Sequence, residues 1–136
     1  MGAASNYLEG KLLDHTLTST AFTQPSRYLA LFTADTGLEA NSGFSGTEVS
    51  TANSSNYARQ AITFAAASSG SSSSNATVTF PTAGANWGTI THIAIMDGST
   101  VGSGNVLFWG AVTTSKTIET GDTFQVSSGN LTISLD

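Results

Sequence analysis

Gly46–Phe64 reads GTEVSTANSSNYARQAITF, and the rest of the chain is organised around it. A carboxylate, Glu48, and a guanidinium, Arg59, flank a polar loop, and the strand-like Gln60–Phe64 follows. The chain carries only four Lys and Arg residues in total, so a cation placed just before a buried strand has a structural task. We read Glu48 and Arg59 as an ion pair that pins a long loop, residues 34–56, onto a sheet. That loop holds Gly37, Gly43 and Gly46 and few β-formers, with Leu38, Phe44 and Val49 as its bulky apolar anchors. Loops this long in a compact domain are usually functional or disordered, so a tacked-down surface loop and a binding loop both stand as readings.

Working outward, Arg27–Thr33 (RYLALFT) is apolar on both faces, as a central strand should be. Gln60–Ala65 is the next strand and Ala76–Phe80 returns beside it, closed by Pro81. Between them Ala66–Asn75 contains SSGSSSS, whose composition predicts flexible slack at a hairpin tip. Thr82–Gly88 is turn-like around Trp87. Thr89–Met96 (TITHIAIM) and Val106–Thr113 (VLFWGAVT) are strongly apolar strands joined by the Gly-rich turn Asp97–Asn105. Thr123–Val126 and the alternating Asn130–Leu135 complete the set. About seven strands at short spacing, punctuated by Gly, Asn and Ser, predict a mainly β chain. The expected form is a single antiparallel β-sandwich, jelly-roll-like, spanning 27–136 and preceded by one N-terminal helix. No period of roughly 20–50 residues repeats, which excludes a solenoid or a repetitive shaft.

The helix is placed at residues 5–18, centred on Asn6–Leu17. Asn6 followed three residues later by Glu9 fits a capping box. Leu8, Leu12 and Leu13 are read as one apolar face, extended by Tyr7 and Leu17, that suits docking or oligomerisation. Gly10 weakens it by about 1 kcal/mol relative to Ala, so the helix needs something to pack against, either its own sheet or a neighbouring subunit. The 136 residues are read as one domain, 1–136.

Charged residues are 10% of the chain and hydrophobic residues 39%, against a usual charged share of about 25%. Ser, Thr, Asn and Gly fill the deficit, a surface suited to an assembly or to the outside of a particle. The formal net charge is −5, and Lys11, Arg27, Arg59 and Lys116 are scattered, so no phosphate-binding patch exists and nucleic acid is excluded as a partner. Absent cysteine removes disulfides and thiolate metal sites. The opening MGAASNYLEG has no basic and apolar leader pattern. No apolar run reaches the roughly 20 residues of a spanning helix, and no membrane partner is expected.

Chemistry-bearing residues form no catalytic or metal-binding pattern, and no cofactor is expected. His15 reads as a surface histidine, and His92 as a histidine satisfied by hydrogen bonds within a strand. Gly98–Gly104 looks like a phosphate loop but lacks the Lys and lies between strands. Asp35, Asp97 and Asp122 stand at turns, where carboxylates cap local backbone N–H groups. Trp109 reads as core. Tyr57 and Trp87 are the aromatic candidates for an interface or a glycan contact.

The ordered segments YLALFTAD, GTEVS, NYARQAITF, VTFPTA-x-x-x-WGTITHIAIMD, LFWGAVTTSK, GDTFQV and NLTISLD, opened by SNYLEGKLLDH, resemble a family of small bacteriophage virion proteins. Its members are usually labelled phage tail-fibre-like or structural proteins, and the resemblance spans roughly residues 5–136. It implies a β-sandwich, a non-enzymatic role on the particle exterior and a virion location reached by assembly in the host cytoplasm. The implied partners are other virion proteins of the tail or capsid. A tail-fibre component is the leading reading; a capsid decoration (cement) protein and a module binding a host-surface glycan are the alternatives. A homo-oligomer is expected, with a closed trimer as one form.

Overall fold

A computed structural model of the chain describes residues 3–135. The described chain is mainly β, with the strands β1 (Ala3–Ala4), β2 (Tyr28–Phe32), β3 (Gln60–Ala61), β4 (Ser71–Ser73), β5 (Val78–Thr79), β6 (Gly88–Met96), β7 (Val106–Ile118), β8 (Gln125–Val126) and β9 (Thr132–Ser134). One helix, α1 (Asn6–Leu17), follows β1. Five strands form an antiparallel sheet in the order β1-β7-β6-β2-β3, while β4 pairs with β9 and β5 with β8. The small sheets face the large one in the manner of a β-sandwich.

Period-two alternation explains which side chains go where. Leu29, Leu31, Ile93 and Ile95 point to one face, where they meet Val78, Phe80, Phe124, Leu131 and Ile133 from the smaller sheets and their flanks. Ala30, Phe32, Ala94, Met96 and Val106 point to the other and are covered by Leu38 and Phe44 of the long loop. Both faces of the central strands are thus covered within one chain, which is why β2 and β6 read as continuous apolar runs. Between β6 and β7 the register shifts at Ile95/Met96, where Phe108 and Val106 are the partners. Leu107 is the extra residue, and it turns into the first core. A larger shift lies between Ile90, opposite Lys116, and His92, opposite Ala111.

Four local expectations are corrected. Ala76–Phe80 does not pair back on Gln60–Ala65: its regular part, Val78–Thr79, pairs with β8. The helix cap is Ser5, not Asn6: Ser5 Oγ accepts from Leu8 N–H at 3.2 Å. Ser5 is also fully buried, donating its hydroxyl to Val106 O and its N–H to Leu107 O at 2.9 Å. The second strand is regular only over Gln60–Ala61, although pairing continues loosely through the Phe64–Ser74 bridge. The serine-rich stretch is not slack. Ser69 and Gly70, at φ 52° and 76°, make a two-residue turn closed in both directions between Ser68 and Ser71. Ser71–Ser73 then pairs in register with Thr132–Ser134.

Candidate functional site

The long loop returns to the large sheet at Thr47–Val49. Phe32 and Glu48 form an antiparallel bridge, and Val49 N–H donates to Leu31 O at 3.1 Å. This run sets the Glu48 carboxylate beneath the chain that leads into β3, where Arg59 waits. Arg59 meets it side-on, Nε to Oε2 at 2.8 Å and Nη2 to Oε1 at 2.7 Å, and both side chains are wholly removed from solvent.

Every remaining polar atom of the pair has a partner. Tyr57 donates its hydroxyl to Glu48 Oε2 at 2.8 Å, and Gly102 donates its N–H to Oε1 at 2.8 Å. Arg59 Nη1 donates to Gly98 O and Ser103 O, each at 2.9 Å. Leu31 N–H donates to Tyr57 Oη at 3.0 Å, anchoring the cluster to β2. Burial, and then the negative charge of Glu48, push the Tyr57 hydroxyl well above the usual tyrosine range. The arrangement is a fork between two charged groups in a dry setting, the form in which an ion pair is geometrically most specific.

The cluster joins three segments that sequence distance keeps apart: the loop at Glu48, the approach to β3 at Tyr57 and Arg59, and the 97–105 turn. A second set of bonds extends the join. Asp97 accepts from the Asn105 N–H at 2.7 Å and from its side-chain amide at 2.8 Å. Asn41 then donates to Asn105 Oδ1 at 2.8 Å and accepts from Val106 N–H at 2.7 Å. Gly104 must be glycine here: its φ is +83°, and a Cβ would lie 2.9 Å from Asp97 Oδ1. The 34–56 loop is therefore a held platform rather than a slack excursion. Tyr57, Asn41, Asn105 and the Gly102 N–H were missed as parts of this cluster, since nothing local marks them.

Tyr57 and Trp87 do not offer rings to a sugar or a partner. They are 4% and 5% exposed. The Tyr57 ring stacks on Phe80 at 6.1 Å and meets Trp87 edge-on at 5.4 Å. The indole N–H of Trp87 donates to Ser55 O at 2.8 Å, so this aromatic cluster holds the loop from below. The glycan contact placed on these two residues is corrected accordingly. On α1, Leu8 is buried and Tyr7 and Leu12 are half-buried against the core, whereas Leu13 and Leu17 are 58% and 76% exposed. The single apolar face expected of these residues is corrected: at about 100° per residue Leu13 and Leu17 fall on the side opposite Leu8 and Leu12.

The histidines stay apart from this cluster. His92 Nδ1 lies 2.9 Å from Thr91 Oγ1, and His15 Nδ1 accepts from Phe22 N–H at 3.0 Å. Among the described residues no group of three or more His, Cys, Asp or Glu side chains is placed to hold a metal ion. The chemistry of the cluster is positional: it fixes loops and leaves no charged group free to react.

No curated protein matches the chain. A family model described as Podophage GP4 fiber I protein gp80 matches residues 3–134. That span takes in the helix, all nine described strands and both halves of the Glu48–Arg59 pair. The chain belongs to this family of phage fibre proteins.

Proposed function

We propose that the chain is a non-enzymatic structural component of a fibre on the exterior of a bacteriophage tail, folded as a single domain. The observation that carries this reading is the match to a phage fibre family over nearly all of the described chain. Its low charge and hydroxyl-rich surface suit a subunit set among other virion proteins. The buried clamp suits a protein whose loops must keep their shape outside the cell, because the loop conformation is held by charge-assisted bonds that solvent does not reach. The absence of a long repeat in the sequence favours a compact adaptor or head piece of a fibre over its shaft. Assembly in the host cytoplasm and self-association into a closed ring, with a trimer as one form, belong to the same reading.

Immunogold labelling of intact particles with antibody to this chain tests it. Label on the tail is the expected result. Label distributed over the head would overturn the reading in favour of capsid decoration.

A further inference from the structure

Both sheet faces are covered within the chain, yet α1 leaves apolar surface open on two sides. On one side Leu8 and Leu12 form a wall of an apolar cleft of about 480 Å³, whose other walls include Phe22, Phe64, Ile133 and Leu135. Among the described residues Arg27 is the charged residue that lines it; its Nη1 donates to Pro25 O at 3.1 Å, and its other guanidinium nitrogens have no hydrogen-bond partner among those residues. On the other side Leu13 and Leu17, one turn apart, are 58% and 76% exposed. At about 100° per residue, Leu13, Leu17, Gly10 and Asp14 share one sector of the helix, opposite the sector of Leu8 and Leu12.

Gly10 adds an independent observation. Glycine weakens a helix interior by about 1 kcal/mol relative to Ala, and nothing among the described residues requires it. A Cβ built there meets no atom within 4 Å, and Gly10 is not among the glycines with positive φ. Its bare backbone lies in the middle of the exposed leucine sector, where it would let a second surface approach closely.

We propose that this ridge docks into the cleft of a second copy of the same chain. Leu13 and Leu17 of one copy fill the cleft beside Phe22 and Leu135 of the next, and Asp14 of the first faces Arg27 of the second. The chain itself supplies ridge, cleft and the two opposite charges, and that complementarity identifies the occupant. Because ridge and cleft lie on opposite sides of α1, the contact is head-to-tail, and repeated with closure it gives a ring. This names the surface for the self-association proposed above.

Light scattering on the purified full chain tests it. Wild type is expected at a multiple of the 13.9 kDa chain mass. Leu17→Asp, which spoils the ridge, and Leu135→Asp, which spoils the cleft, are each expected as monomers with unchanged circular dichroism. Mixed in equal amounts they retain one intact surface each, so they form a dimer and nothing larger. Asp14→Arg and Arg27→Asp should each dissociate the ring, and the two together in one chain should restore it, which keeps the test open if a leucine variant misfolds. A monomeric wild type, or association that survives Leu135→Asp and Arg27→Asp, overturns the proposal. A monomer whose label still falls on the tail would remove this interface and leave the fibre reading standing.

Discussion

Tyr57 and Arg59 share one oxygen of Glu48: the Tyr57 hydroxyl donates to Oε2 at 2.8 Å, as Arg59 Nε does, and Tyr57 Oη in turn accepts the Leu31 N–H at 3.0 Å. One phenol thus connects the buried carboxylate to the central strand. Removing the hydroxyl leaves the buried Leu31 N–H without its partner and takes one of two donors from Glu48 Oε2, which keeps Arg59 Nε. A buried donor left unpaired costs more than the net worth of the bond itself. Tyr57→Phe keeps the ring that stacks on Phe80. It is expected to cost about 1–3 kcal/mol in urea unfolding at neutral pH, with no change in the denaturant slope.

The same residue sets an alkaline limit. Its hydroxyl is shifted upward in the fold by burial and by the charge of Glu48. The unfolded chain therefore releases this proton more readily than the folded one. The contribution is fully present below the unfolded tyrosine pKa of about 10 and is lost as pH rises above it. Stability measured between neutral pH and pH 11 should decline more steeply in wild type than in Tyr57→Phe. Parallel curves for the two would assign the alkaline loss elsewhere.

Ser5 and Asn6 give a second contrast. Ser5 caps α1 and, in the same position, ties the chain to Val106 and Leu107 of β7. Ser5→Ala is expected to cost about 1–2 kcal/mol, read as a lowered midpoint in chemical denaturation. Asn6→Ala, at an exposed first helical position, should stay within about 0.5 kcal/mol of wild type.

Gly70 tests whether the serine hairpin is built or slack. At φ +76° its Cβ would come 2.8 Å from Leu135 O, the carbonyl of the neighbouring C-terminal segment. Gly70→Ala should cost about 1–2 kcal/mol and speed amide exchange at Ala65 and Leu135, whose N–H groups bond to Ser73 O and Gly70 O. Unchanged exchange at both amides would mean the hairpin is already open.

The long apolar strands and the Glu48–Arg59 pair were legible because their signals are local or scarce. RYLALFT, TITHIAIM and VLFWGAVT need no partner to be recognised as buried strands. In a chain with four cations, one placed beside a strand is conspicuous. What was illegible depends on distant pairing. Ser71–Ser73 has a composition that favours disorder, but β9, about sixty residues later, supplies its hydrogen bonds, and tertiary pairing overrides propensity. Trp87 looks like a turn residue until Ser55 O is brought to its indole N–H. The cap was misplaced by one residue because Ser5 and Asn6 are both good caps, and only burial against β7 decides between them.

The clamp itself is the claim on which the loop platform rests, and a double-mutant cycle on Glu48 and Arg59 tests it most directly. Each group is buried and fully partnered, so removing either leaves the other charge buried without compensation. Glu48→Ala and Arg59→Ala are each expected to lower unfolding stability by about 3–5 kcal/mol, while the double variant should lose clearly less than the sum. Single variants that unfold with wild type, or losses that simply add, would contradict the account.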